Sequence, residues 1–174
     1  SMAEQSDGGA IFLSKVSVVT INESYFCLNK AGQDGGVMEM IDAGFVKISY
    51  VVFAKNKARN FGGAILLHST RITMLYHCKF YNNSATLDGG SIYLHTSEIF
   101  LNSDIKFINN KARSGGAFFG QNLQMLSFKS SAFLDNRALS QNGGAVYFDG
   151  TMISLNFQNI LKNNSALSHG GAIY

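Results

Sequence analysis

The sequence predicts an all-β fold, a right-handed parallel β-helix of about six to seven coils, each of about 27 residues and three short strands. Three observations carry this reading. Glycine pairs stand at Gly8–Gly9, Gly35–Gly36, Gly62–Gly63, Gly89–Gly90, Gly115–Gly116, Gly143–Gly144 and Gly170–Gly171, at intervals of 27, 27, 27, 26, 28 and 27 residues. Inside each interval an aromatic–asparagine–alanine series recurs: Phe26, Phe53, Phe80, Phe107, Phe133 and then Leu161, followed three residues later by Asn29, Asn56, Asn83, Asn110, Asn136 and Asn164, with alanine always two further on. Between these motifs apolar residues alternate with period two, and no 3.6-residue stripe is sustained, which excludes helical repeats. A propeller blade needs four strands and roughly 40 residues, more than one interval supplies.

Each element then follows in order along the coil. The residues after the glycines alternate, as in "AILLH" (64–68), "SIYLH" (91–95) and "AVYFD" (145–149), and form the first strand. "RITML" (71–75), "EIFLN" (98–102) and "MISLN" (152–156) form the second, and "DIKFI" (104–108) leads the third into the Phe column. Successive coils lie about 4.8 Å apart, so each residue sits over its equivalent one period away. Ile11, Met38, Ile65, Ile92, Phe118 and Val146 therefore form an inward aliphatic ladder, and the phenylalanines an aromatic stack. The asparagines are expected at a left-handed bend, each amide bonded to the next. The glycines provide positive φ and close coil-to-coil approach.

Residues 8–174 are read as one β-helical domain with repeats starting at 8, 35, 62, 89, 115, 143 and 170. Residues 1–7 are read as a Ser-Met cloning scar and part of a preceding coil. Neither end shows the polar cap that protects an open edge, so the chain is expected to be a fragment of a longer solenoid and to self-associate end to end.

Composition narrows the function. The net charge is +3, only 14% of residues are charged against about 25% in typical domains, and Lys15, Lys30, Lys47, Arg71 and Lys129 are scattered singly. No run can track a phosphate backbone, so nucleic acid is excluded as a partner. No window approaches the roughly 18 apolar residues of a membrane-spanning helix, and no signal-peptide core is present. Cys27 and Cys78 lie two coils apart, roughly 10 Å, on opposite faces, and are expected to be free thiols.

"GGAI" at 8–11, 62–65 and 170–173, "GGAV" at 143–146 and the five Phe-x-x-Asn motifs from Phe26–Asn29 to Phe133–Asn136 resemble the repeat signature of the chlamydial polymorphic outer membrane proteins. The resemblance spans the whole chain, with departures at Val37–Met38, Ser91, Phe118 and Leu161 that conserve packing. It implies a β-helical autotransporter passenger displayed at the bacterial surface, acting as an adhesin in virulence. Attachment to a membrane would come only through other parts of the parent protein.

Chemistry-bearing residues are few. Asp7, Asp34 and Asp88 share the column before the glycines, which continues as Phe61, Ser114, Asn142 and His169 and reads as turn chemistry more than as a calcium site or acid pair. His68 and His95 are weak metal candidates on adjacent coils, with Gln121 and Asp149 next in their column. His77 and His169 stand alone. No catalytic residue and no cofactor is assigned. The outward column beside the inward ladder, Phe12, Glu39, Leu66, Tyr93, Phe119 and Tyr147, is the candidate contact surface, chiefly through its apolar members Phe12, Leu66, Tyr93, Phe119 and Tyr147. These features predict a cell-surface adhesin whose partner is a protein or glycan on a host or neighbouring cell. The competing readings are a polysaccharide-cleaving β-helix, which needs acidic or basic residues converging from adjacent coils, and a passive spacer.

Overall fold

The structure is a computed structural model that describes residues 2–3, 7–156 and 158–174. Of the segment 1–7, residues 1 and 4–6 lie outside the described residues.

Every pairing between strands is parallel, and its register equals the sequence repeat. Ile65 lies between Met38 and Ile92, Phe80 between Phe53 and Phe107, and Leu75 between Ile48 and Asn102. The chain is thus a parallel β-solenoid. The first strand of successive coils is Ile11–Ser14, Met38–Ile41, Ile65–His68 and Ile92–His95. The second is Val18–Asn22, Phe45–Ser49, Ile72–Tyr76 and Ile99–Ser103. The third, Tyr25–Cys27 in the first coil and Lys106–Ile108 in the fourth, carries the phenylalanines. These are the three strands the alternation marks out. A further ladder of two-residue strands, from Lys30–Ala31 to Ser165–Ala166, escapes sequence reading because two residues are too short to alternate; Met2–Ala3 pairs with its first member. In the last two coils the first and second strands run together as Phe118–Lys129 and Val146–Asn156, with a bulge between Gln121 and Leu123, which merges their rows into one sheet.

Corners are made by single left-handed residues: Asp42, Ser69 and Thr96 after the first strand, Tyr50, His77 and Asp104 after the second, and Leu28, Lys55, Asn82, Asn109, Asp135 and Asn163 after the third. The last set corrects the expectation for the asparagine column, because the bend is taken one residue earlier. Asn56, Asn83, Asn110 and Asn136 stay out of the left-handed region and are buried. That leaves each side chain pointing along the stack. Asn83 Oδ1 accepts from Asn56 N–H at 2.9 Å and Asn56 Nδ2 at 3.0 Å, while Asn83 Nδ2 donates to Phe53 O at 3.0 Å. The same pattern repeats from Asn29 to Asn164. Each amide thereby supplies the partners that the buried turn's backbone lacks.

The interior is a set of columns. Phe26, Phe53, Phe80, Phe107 and Phe133 stack at centroid separations of 5.4, 4.8, 4.9 and 5.0 Å. Such pairs each contribute about 0.5–1.5 kcal/mol beyond burial. Phe128 meets Phe107, Phe118 and Phe133 edge-on and ties the phenylalanine column to the inward ladder. Cys27 and Cys78 are both free; the buried Cys78 thiol donates to Tyr76 O at 3.2 Å.

At one end of the stack Met152, Ile153 and Leu155 are exposed, and among the described residues Val146–Asn156 has only the Val146–Ile173 bridge on its outer side. An unpaired parallel edge templates further strands, and a head-to-tail contact does not close. The isolated chain is therefore expected to show a sedimentation coefficient that rises with concentration. Ile153→Lys with Leu155→Lys should suppress the rise, and a concentration-independent monomer would refute the expectation.

Candidate functional site

The outward column does not present the continuous surface that the sequence implies. Phe12 is 53% exposed, but Leu66 is 7% and Phe119 8% exposed, and Tyr93 and Tyr147 are half-buried. Two causes act. Phe61, from the loop ahead of its glycines, folds over the column and meets Tyr93 at 4.6 Å and 38°. Tyr93, Phe119, Tyr147 and Tyr174 also stack on one another at 5.1, 4.4 and 5.2 Å. Their faces cover each other, so solvent meets ring edges and phenol groups.

Beside this ladder lies a cavity of about 670 Å³, lined by Phe61, Tyr93, Phe119, Tyr147 and Tyr174 together with polar side chains. Its electrostatic centre is an ion pair in which Arg113 Nε donates to Asp88 Oδ1 at 3.1 Å and Arg113 Nη2 to Asp88 Oδ2 at 2.6 Å. Asp88 is buried and holds the guanidinium fork above its ordinary pKa chiefly through these hydrogen bonds. Asp88 Oδ1 also accepts from Ser114 N–H at 3.1 Å. Arg113 is therefore committed to its partner and acts as a fixed polar wall, because gripping an anion would leave a buried carboxylate unpaired. Ser114 Oγ donates to Gln141 Oε1 at 2.8 Å, and Asn142 Oδ1 accepts from His169 N–H at 3.1 Å. Burial, and then the charge of Asp88, push the Tyr93 phenol up, so it remains a donor at neutral pH.

The column of aspartates before the glycines does structural work. Asp7 Oδ1 accepts from Asp34 N–H at 3.4 Å, Asp34 Oδ1 from Phe61 N–H at 2.9 Å, and Asp88 and Asn142 repeat the bond one coil on. Each clips its loop to the next coil, as turn-forming Asp and Asn do. His68 and His95 come together, with Nδ1 atoms 3.2 Å apart and rings stacked at 4.9 Å, and burial followed by the His68 neighbour holds His95 below its ordinary pKa. Among the described residues no group of three or more His, Cys, Asp or Glu is placed to hold a metal ion. Neither remaining histidine is isolated: His77 stacks on Tyr50 at 4.8 Å, and His169 lines the large cavity.

Arg113 and Tyr174 take part in this face although the sequence does not single them out, and so does Phe61, which its column marks only as a turn residue. Arg113 and Asp88 are 25 residues apart, off the repeat, so column logic could not pair them. The columns that sequence reading does single out, the glycines, phenylalanines and asparagines, lie in the wall and interior of the solenoid.

The family model of the Chlamydia polymorphic membrane protein repeat matches the chain at residues 50–67, 77–95 and 160–174. Each matched segment contains a Phe or Leu column residue, its asparagine and the following glycine pair. Comparison with curated proteins and with solved structures found no match.

Proposed function

With repeats of the Chlamydia polymorphic membrane protein type in this chain as the premise, we propose that it is part of a surface-displayed β-solenoid passenger that attaches to a protein or glycan on another cell. The observation that carries the reading is the large cavity, which Phe119, Tyr147 and Tyr174 line together with the Asp88–Arg113 pair and further polar side chains. A cleft with apolar edges and a few fixed polar groups is the usual form of a recognition site. The repeat motifs themselves are buried in the wall of the solenoid, so they act by holding this face in register. A rod that grows by adding coils also suits reach between cells.

Bond cleavage is the second reading, and the geometry favours it less. Asp34 and Asp88 accept backbone hydrogen bonds and Asp88 is also saturated by Arg113, which leaves Glu39 as the unpaired carboxyl among these three, whereas a glycosidase pair needs two, one to donate a proton and one to receive it.

The test is to incubate the purified chain with host cells and with a panel of cell-surface polysaccharides, scoring retention and bond cleavage together. We expect saturable retention without cleavage, weakened about tenfold by Tyr147→Ala as for an interface aromatic. Cleavage would replace this reading with an enzymatic one, and absence of retention would leave a spacer.

A further inference from the structure

Glu39 breaks the apolar outward column, with Phe12 beside it on one coil and Leu66 on the other. The residue is 6% exposed, and its Oε2 has no hydrogen-bond partner among the described residues. An unpaired buried carboxylate is costly. Desolvation by burial, then the charges of Asp7 and Asp34, push its carboxyl up to about 7. Burial likewise pushes Asp34 up.

Glu39 lines a second cavity, of about 460 Å³, with Asp34, Phe61, His68, Tyr93 and His95. None of the residues lining it is Lys or Arg. The walls thus combine carboxylates with aromatic rings and hold no resident cation. We propose that this pocket receives a primary ammonium or guanidinium group, held by the carboxylates of Glu39 and Asp34 beside the rings of Phe61 and Tyr93.

Other ligand classes fit less well. An anion would be repelled by Asp34 and Glu39, and a neutral alcohol would leave the carboxylate charge uncompensated. A metal ion lacks a third ligand among the described residues. An organic cation compensates the charge of the two carboxylates by charge-assisted hydrogen bonding and gains from the rings' electron-rich π systems. The inference does not depend on the attachment reading, since the carboxylates Glu39 and Asp34 do not line the larger cavity, although Phe61 and Tyr93 border both.

Occupancy carries a pH signature. The cation favours ionised Glu39, so it lowers that carboxyl's midpoint, and affinity falls as the pH drops through about 7. Asp7 and Asp34 add to the negative charge at the site, and His68 and His95 line the same cavity.

The experiment is a ¹³C-carboxyl and aromatic-proton NMR titration of the chain, labelled at its four glutamates, with n-butylammonium chloride at pH 8 and constant ionic strength. 1-Pentanol and calcium chloride serve as parallel probes. Expected are saturable shifts of the Glu39 carboxyl and Tyr93 ring, a Glu39 midpoint lowered by about one pH unit, and affinity reduced about tenfold or more in Glu39→Gln. Should that variant fail to fold, wild-type affinity at pH 5.5 is expected to be about sevenfold below that at pH 8, as a one-unit lowering of a midpoint near 7 requires. The proposal is overturned if butylammonium produces no saturable shift, if pentanol matches it, if calcium binds more tightly, or if neither Glu39→Gln nor acid weakens binding.

Discussion

Gly63→Ala is expected to abolish the cooperative fold or to cost more than about 4 kcal/mol, the range reached only when a core or backbone constraint is broken. A Cβ at Gly63 would lie 2.1 Å from Gly90 O and 2.7 Å from the Ser84 backbone, both in the next coil. No side chain can rotate to relieve this, and parting the coils would break the ladder on either side. The neighbouring Gly62 fails for a different reason, since its φ is +62° and a Cβ would meet its own strand at Ile65 O, 2.2 Å away. Gly171→Ala supplies the control: its backbone is not in the left-handed region, and the nearest atom to an added Cβ is Asn164 O at 3.7 Å. Urea unfolding followed by circular dichroism should leave Gly171→Ala within about 0.5 kcal/mol of the parent, as surface changes usually are. Equal midpoints for Gly63→Ala and the parent would show that close coil approach is not the constraint.

The second large effect is expected at Asn110. Its Oδ1 accepts from Asn83 N–H at 2.9 Å and Asn83 Nδ2 at 3.3 Å, and its Nδ2 donates to Phe80 O and Asn136 Oδ1, each at 3.0 Å. Asn110→Ala would leave the buried Asn83 N–H without a partner, at about 1–3 kcal/mol, take from Phe80 O one of its two donors and from Asn136 Oδ1 another, and open a void. A loss of about 3–5 kcal/mol follows. Asn110→Asp separates the two roles of the amide, because the carboxylate keeps the acceptor but loses the donor and faces Phe80 O and Asn136 Oδ1. The folded state should hold the introduced carboxyl above its unfolded pKa. The penalty is then full at neutral pH and diminishes as the pH falls through the folded value, since the protonated form can donate again. Unfolding midpoints between pH 4 and 7 test the sign; a penalty that grows in acid would contradict the ladder.

Much of this architecture is legible from spacing. Phe26 to Phe133 and Asn29 to Asn164 recur with the period of the coil, and in a parallel stack equal spacing in sequence becomes adjacency in space. The two-residue ladder is not legible, since Lys57–Ala58 or Ser84–Ala85 contains no alternation to detect. The left-handed corner is only half legible: Asn82, Asn109 and Asn163 advertise it, but Leu28 and Lys55 do the same work without any turn propensity. The candidate sites are harder still. Period-two alternation identifies Leu66 and Phe119 as outward-facing, and they do face outward, yet each is buried.

The division follows from the range of the forces involved. Repeat period, parallel register and the identity of the interior columns depend on translation by one coil, which acts identically on every repeat and is written into the chain as periodicity. The fate of the outward face depends on what departs from the repeat. Phe61 stands where other coils have Asp34 or Asp88, Arg113 reaches Asp88 across an irregular interval, and Glu39 is inserted between apolar neighbours. Non-repeating side chains have no periodic signal, and whether a loop residue covers a strand or leaves it open is settled only by the packing of that loop. Adjacency along the stack was therefore determined by the amino-acid order alone, whereas the two cavities and the unpaired Glu39 carboxyl arise from tertiary packing.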